Sequence, residues 1–275
     1  MVVRVVKSCK NSVYLYYCCN IAIEMKRLKR LYATSVGKKI VAAVTGLILF
    51  GFLVGHVAGN LKVFTGTSKM EFAGEAQEVP HIDEYGHFLR VAGEPLVPKY
   101  FTLWTARLVL LAALVLHVVS VIQLARQNQS ARPVGYFKSK KAAATLPALY
   151  MMVSGVVILG FIIFHILHLT TGTISFGSFE HGFVFNNLSS EFSIWPVALG
   201  YAIVMCVLAF HLYHGVWSLF QTLGLDNPDR NRTLRMVAMV AAIGIAAGFA
   251  TVPLAFMSGA IGGTYEYSTE LLNGH

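Results

Sequence analysis

Five apolar stretches of about 20 residues or more decide which fold this chain can adopt. About 20 residues of helix cross the hydrocarbon core of a bilayer, and a helix satisfies its own backbone hydrogen bonds in lipid. None of the five stretches contains an aspartate or a glutamate, and 56% of the 275 residues are hydrophobic. The sequence therefore predicts an all-α integral membrane bundle of five transmembrane helices, at residues 40–60, 101–125, 145–169, 195–220 and 233–258.

The net charge of +9 is distributed unevenly over the segments that connect these helices. If the chain starts inside the cell, the inner segments hold 17 of the 22 lysines and arginines and carry +14, against −5 outside. Because basic segments resist translocation, this pattern predicts a cytoplasmic N-terminus and an outside C-terminus, and it explains the basic excess without nucleic-acid binding. We expect a basic cytoplasmic segment over 1–34, a transmembrane domain over 35–258 and a short outside tail over 259–275.

The first 24 residues lack the unbroken apolar core and the small-residue cleavage site of a signal peptide. Met25 opens a basic segment that leads into the first apolar stretch, so we expect translation to begin there. The four cysteines include no Cys-x-x-Cys-His pattern, which excludes covalent attachment of a c-type haem.

Each of the first four apolar stretches carries a histidine, which is rare in a membrane helix and marks a functional site by default. With the predicted topology, His56 and His165 lie near the outer face. His117 and His211 each lie about 16 residues, or roughly 24 Å, into a helix that starts outside. Opposed imidazoles at equal depth can bind a haem iron from both sides. We therefore predict two haems held within a four-helix core, an outer one between the first pair and an inner one between the second.

Two further histidines leave the choice of ligand open. His168 and His214 each follow one of the favoured histidines by three residues, on the same helix face. Spacing alone does not choose between His165 and His168, or between His211 and His214. The histidines outside the apolar stretches are interpreted as solvated, namely His81, His87, His181 and His275.

Three segments carry a resemblance to a known family: TGLILFGFLVGHVAGNL, GVVILGFIIFHILHLT and FHLYHGVWSLFQTLG. They resemble the cytochrome b subunit of succinate dehydrogenase and fumarate reductase, in its bacterial form with five helices, two haems and a single membrane subunit. The resemblance covers residues 35–258, and its most specific part is the F-H-x-x-x-G-x-W-S pattern that begins at Phe210. It implies that two haem b groups are ligated by His56 with His165 and by His117 with His211.

The resemblance also implies a function. Such a subunit anchors a flavoprotein and an iron–sulfur protein on the cytoplasmic side of the bacterial cytoplasmic membrane, in complexes that assemble as trimers. Electrons from succinate pass through the inner and outer haems to a quinone, typically menaquinone. Succinate chemistry belongs to the flavoprotein, so this chain is expected to be the electron-transfer subunit of the enzyme.

Two groups of polar residues are candidates for contact with the quinone or with a haem propionate. The group at the outer ends of the first two helices comprises Asn60, Lys62, Tyr100, Trp104 and Arg107. The group at the inner end of the fourth helix comprises His214, Ser218 and Gln221. Arg107 is alternatively a partner of a haem propionate, because a buried guanidinium needs an anion. The three tryptophans are interpreted as membrane-interface anchors: Trp104, Trp195 and Trp217.

One position departs from the family pattern. Some two-haem fumarate reductases carry a membrane glutamate two residues before the position of His211, where this chain has Ala209. No predicted span contains a carboxylate, so we do not expect a proton path that accompanies the electrons. Quinone reduction near the outer haem is then expected to couple electron transfer to the membrane potential.

Three alternatives belong to other classes or partners. A proton-coupled transporter would use the histidines as relay groups, but the sequence shows none of the broken helices, acidic partners or repeats typical of that class. A haem b subunit of a hydrogenase or formate dehydrogenase would keep the haems and change the soluble partners. A membrane anchor without electron transfer would use the histidines for packing alone.

Overall fold

The computed structural model describes residues 13–72, 75–130 and 151–266, and most of them are helical. Five helices are long and apolar enough to cross a membrane, which confirms the predicted all-α membrane bundle. We number the helices α1 (Val13–Ala33), α2 (Ser35–Asn60), α3 (His81–Val91), α4 (Phe101–Ser130), α5 (Met151–His165), α6 (Val184–Phe192), α7 (Trp195–Thr222) and α8 (Asn231–Met257). The five candidate spans are α2, α4, α5, α7 and α8.

The helices extend beyond the apolar stretches because polar end residues find partners. α2 begins at Ser35 and includes Lys38, whose Nζ donates to the carbonyl of Ala33 at 2.8 Å and to Oε1 of Gln127 at 3.2 Å. Residues 13–33 of the predicted basic segment form α1, whereas the predicted start of the third span, at residue 145, lies outside the described residues. The predicted bounds match where α2 ends at Asn60, where α4 begins at Phe101 and where α7 begins at Trp195, whereas hydropathy missed the polar start of α2.

The described residues form two compact units. The first contains residues 13–46 and 112–130, that is, α1, the start of α2 and the later part of α4. Besides the Lys38 contacts, a hydrogen bond of 3.3 Å between the hydroxyls of Tyr32 and Ser120 joins α1 to α4 in this unit. The remaining described residues form the second unit.

The core of the second unit lies between α7 and α8. Met205, Leu208 and Leu212 of α7 pack on a surface of α8 that includes Ala242 and Ala246. Small side chains on one helix allow the other to approach closely, which supplies the packing energy that drives helix association in lipid.

Connecting segments of the second unit form a folded layer that we call the cap, comprising residues 61–72, 75–100, 171–194 and 258–266. It holds an antiparallel hairpin of β1 (Thr67–Phe72) and β2 (Glu75–Pro80), in which Thr67 pairs with Pro80 and Phe72 with Glu75. The helix-only prediction missed this hairpin, because its strands are short and polar. The apolar faces of α3 and α6 cover the ends of α7 and α8 through Ile82, Phe185, Leu188, Phe192, Tyr201, Val252 and Phe256.

Asp83 ties two distant segments of the cap together. Its carboxylate is almost fully buried, and Oδ1 accepts hydrogen bonds from the backbone N–H groups of Val184 at 2.5 Å and Phe185 at 3.2 Å. These groups begin α6, so Asp83 supplies the acceptor and the negative charge that a helix N-terminus favours.

Candidate functional site

His56 of α2 and His165 at the end of α5 face each other in the second unit. Their ring centroids are 6.0 Å apart and their planes are inclined by 78°. Two metal–imidazole bonds of about 2 Å would separate the centroids of opposed rings by about 6 Å, so this spacing suits one metal ion between them. Nδ1 of His165 is buried and has no hydrogen-bond partner among the described residues. A buried polar atom without a partner is unfavourable, and a bound group would supply that partner.

Aromatic rings surround this pair. Phe52 stacks on His56 at 5.1 Å, and Phe249 approaches the same imidazole at 5.4 Å. Phe161 and Tyr201 lie 5.8 and 6.0 Å from the ring of His165. An apolar surrounding excludes water and controls the redox properties of a metal bound there.

The structure separates His165 from His168, which spacing alone could not do. α5 passes into a π-helical turn, Ile166–Thr170, and His168 in that turn is fully buried. Its Nδ1 lies 2.8 Å from the Tyr201 hydroxyl, and its Nε2 lies 2.9 Å from Oε2 of Glu191. Both nitrogens of His168 are therefore engaged by the protein, and His165 is the histidine of this segment that faces His56.

Glu191, in the cap helix α6, is a buried carboxylate that the sequence analysis missed. It accepts hydrogen bonds from the Ser175 hydroxyl at 2.5 Å and from the N–H groups of Phe176 and Gly177 at 3.1 and 3.2 Å. Burial alone would raise the pKa of Glu191, but the hydrogen bonds from Ser175, His168 and the two backbone groups hold this pKa below its ordinary value. The sequence did carry a signal for it, because Glu191 is an acid just before the fourth span, on the same predicted side of the membrane as His168.

His117 of α4 is oriented within the first unit. Its Nδ1 lies 3.0 Å from the carbonyl of Ala42 and 3.3 Å from the hydroxyl of Thr45. The carbonyl can only accept, so Nδ1 carries the proton and Nε2 presents its lone pair, as in most metal-ligating histidines. A Cβ on Gly46 would lie 3.3 Å from Cε1 of His117, so glycine at this position lets the imidazole lie against α2.

His211 of α7 has matching neighbours within the second unit. Its Nδ1 lies 3.1 Å from the hydroxyl of Ser154, and a Cβ on Gly155 would lie 3.6 Å from its Cε1. Each of these two histidines, His117 and His211, is thus held against a hydroxyl residue followed by a glycine on the preceding spanning helix. The neighbouring His214 instead packs edge-to-face on Trp217 with ring centroids 6.0 Å apart.

These contacts reveal a short internal repeat that corrects the expectation of no repeat. Residues 45–56 and 154–165 share the pattern [S/T]-G-x-x-x-x-G-F-x-x-x-H. The hydroxyl–glycine pair of each copy contacts His117 or His211, whereas the final histidine of each copy forms the His56–His165 pair. The pattern was visible in the sequence but gained meaning only from the contacts.

Glycines near the histidines divide into two groups. A Cβ added to Gly55, Gly160 or Gly215 would meet no described atom within 4 Å, so space beside these backbones is open. Gly59, by contrast, packs on the cap, because its Cβ would lie 2.5 Å from the ring of Tyr85. Open backbone surface beside a candidate ligand histidine would suit the edge of a flat porphyrin.

The predicted polar contacts at the cap end do not form one site. Nζ of Lys62 lies 5.6 Å from the ring centroid of Tyr85, and the Arg107 guanidinium lies 5.0 Å from that of Trp104. Asn60, Lys62, Trp104 and Arg107 are joined by no hydrogen bond, ion pair or ring contact across these two groups within the part of the chain that the structure describes. The side chains of Trp104 and Trp195 are 56% and 65% exposed, as expected of interface anchors, whereas Trp217 is 9% exposed and packs on α8.

No family model, curated protein or solved structure matches this chain.

Proposed function

We propose that this chain is the cytochrome b membrane anchor of a succinate:quinone oxidoreductase and binds two haem b groups. The observation that carries the haem assignment is the His56–His165 pair, with ring centroids 6.0 Å apart in an aromatic surrounding. The histidine that competes with His165 is engaged on both nitrogens by Tyr201 and Glu191, which supports His165 as the ligand.

In this proposal His56 and His165 would hold the iron of the outer haem, and His117 and His211 would hold that of the inner one. A haem b supplies a one-electron carrier when it is bound. The hydrogen bonds at Nδ1 of His117 and His211 support the inner assignment, because such bonds fix the ring orientation of metal-ligating histidines. The open backbone at Gly55, Gly160 and Gly215 supports room for porphyrin edges.

The resemblance supports the choice of soluble partners, and the positive charge of the sequence supports the orientation of the chain in the membrane. The resemblance to the five-helix family favours a flavoprotein and an iron–sulfur protein bound at the basic side, with menaquinone as the electron acceptor and a trimer as the assembly. The positive charge around the N-terminus, at residues 230–235 and between 126 and 141 favours placing this side in the cytoplasm of a bacterium. The cap then faces outward.

The test is isolation of the native complex through a tag on this chain. We expect a flavoprotein and an iron–sulfur protein to co-purify, and succinate to reduce haem b in the isolated complex. Co-purification of a hydrogenase or formate dehydrogenase subunit, with no haem reduction by succinate, would assign the haems to another enzyme. The variant His211→Ala is the matched control, since it should lose the inner haem while retaining the soluble subunits.

One observation favours the transporter alternative: Glu191 and His168 form the buried acid–histidine contact that the sequence had not revealed. In transporters such groups lie near the membrane midplane between broken helices. Here the contact joins a cap helix to the end of a span, and α2, α4, α7 and α8 continue unbroken over 26 residues or more. Both features fit a cap fastened to an electron-transfer bundle better.

A further inference from the structure

The end of α7 that lies away from the cap carries two buried nitrogen atoms without partners, one of them the indole N–H of Trp217. Nε1 of Trp217 and Nδ1 of His214 are buried, and neither has a hydrogen-bond partner among the described residues. The Trp217 side chain is 9% exposed and packs on Val216 and Ala238, so the indole is part of the protein core rather than a membrane-interface anchor. A buried donor without an acceptor is costly, which points to a ligand that supplies one.

A guanidinium completes this group of donors. The Arg235 side chain lies flat over the indole, with its guanidinium carbon 4.2 Å from the ring centroid of Trp217. Its Nε donates to Oδ1 of Asn231 at 2.6 Å, which fixes the orientation of the plane. A carboxylate of the same region, Asp226, accepts from Nε2 of Gln221 at Oδ2 at 3.3 Å, and its Oδ1 is buried without a partner among the described residues. A carboxylate ligand would suit the Trp217 N–H, the oriented cation and the His214 tautomer that is protonated at Nδ1.

The distance along α7 identifies which carboxylate can reach the cluster. His214 and Trp217 follow His211 by three and six residues, which is about 4.5 and 9 Å along the helix axis. A haem bound through His211 would carry its propionates at one edge of the porphyrin. These groups would reach residues at such distances from His211 along α7. Resting on the proposed function, we propose that Trp217, His214 and Arg235 form a binding site for a propionate of the inner haem.

The proposal is tested by redox titration of both haems in the purified complex. Arg235→Gln removes a cation beside the propionate, so the midpoint potential of the inner haem should become more negative while that of the outer haem stays unchanged. Trp217→Phe keeps the ring that carries Arg235 but removes the N–H, so the shift should have the same sign and be smaller. Arg232→Gln is the matched control, because Arg232 is exposed on the same turn of α8 and its charge is screened by water.

The variant Arg235→Lys separates the electrostatic role from a structural one, because it restores the charge and should return the potential toward the wild-type value. Two haems with unchanged potentials in both Arg235→Gln and Trp217→Phe would overturn this inference and leave the proposed function intact. Unchanged potentials with a raised KM for quinone would assign the donors to quinone instead and overturn it equally. Absence of haem from the wild-type complex would overturn the proposed function itself.

Discussion

Replacing Glu191 by glutamine tests whether the buried carboxylate fastens the cap to the end of α5. In the structure one carboxylate accepts hydrogen bonds from His168, Ser175, Phe176 and Gly177, at distances of 2.5 to 3.2 Å. Glutamine keeps the volume but removes the charge and turns one of the two acceptors into a donor. The segment 171–183, which carries three of the four donors, should therefore open more often.

The size of the effect follows from the number and type of these bonds. A hydrogen bond to a charged group contributes about 1.5–3 kcal/mol, against about 0.5–1.5 kcal/mol for a neutral one. Loss of the charge across several bonds, with one buried donor left facing an N–H group, gives about 3 kcal/mol. At about 1.4 kcal/mol for each factor of ten, the open population of the segment should rise roughly 100-fold.

Chymotrypsin cleavage after Phe176 and Phe179 measures this opening in the detergent-solubilised complex. When reclosing is faster than cleavage, the cleavage rate follows the open population, so Glu191→Gln should be cut roughly 100-fold faster. Glu180→Gln is the matched control, because the same charge is removed from an exposed residue of the same segment. Equal cleavage rates for wild type and both variants would show that Glu191 does not hold this segment.

Three further predictions address the haem ligands, the cap and the coupling to the membrane. His165→Ala should lose one of two haems by pyridine haemochrome assay, whereas His168→Ala should keep both; loss of a haem only in His168→Ala would exchange the two roles. Asp83→Ala should weaken protection of the α6 amides from hydrogen exchange by about 1–2 kcal/mol through loss of the helix cap, whereas Glu84→Ala, which changes an exposed side chain, should stay within about 0.5 kcal/mol. The pKa of Glu191 is lowered in the folded state, so its contribution to cap stability is complete above the ordinary carboxyl value of 4.5 and is lost as the pH falls through the lower folded value. Hydrogen-exchange protection of residues 171–183 should therefore fall in that pH range in the wild type and stay constant in Glu191→Gln.

The spanning helices were predictable because hydropathy is a local property of the sequence. Twenty apolar residues without acids must cross the membrane or lie buried, whatever their neighbours do. The start of α2 was not predictable in the same way, because Lys38 contacts Ala33 and Gln127 there. Gln127 lies 89 residues away in the chain, and hydropathy does not register such a contact.

The choice between neighbouring histidines also needed three-dimensional contacts. His165 and His168 are equivalent by spacing, and they differ only because Tyr201 and Glu191 engage His168. The acid comes from a cap helix outside the spans, and its contact with His168 in the folded chain links it to the end of α5. Trp217 was misassigned for a related reason, since its burial depends on the packing of α8.

The number of haems bound to each chain tests the assignment of the four histidines most directly. The measurement is the reduced-minus-oxidised spectrum of the purified complex, with the haem extracted and counted against this chain. We predict b-type bands and two haem b groups per chain, falling to one in His56→Ala. A colourless complex from which no iron porphyrin can be extracted would contradict the assignment of all four histidines.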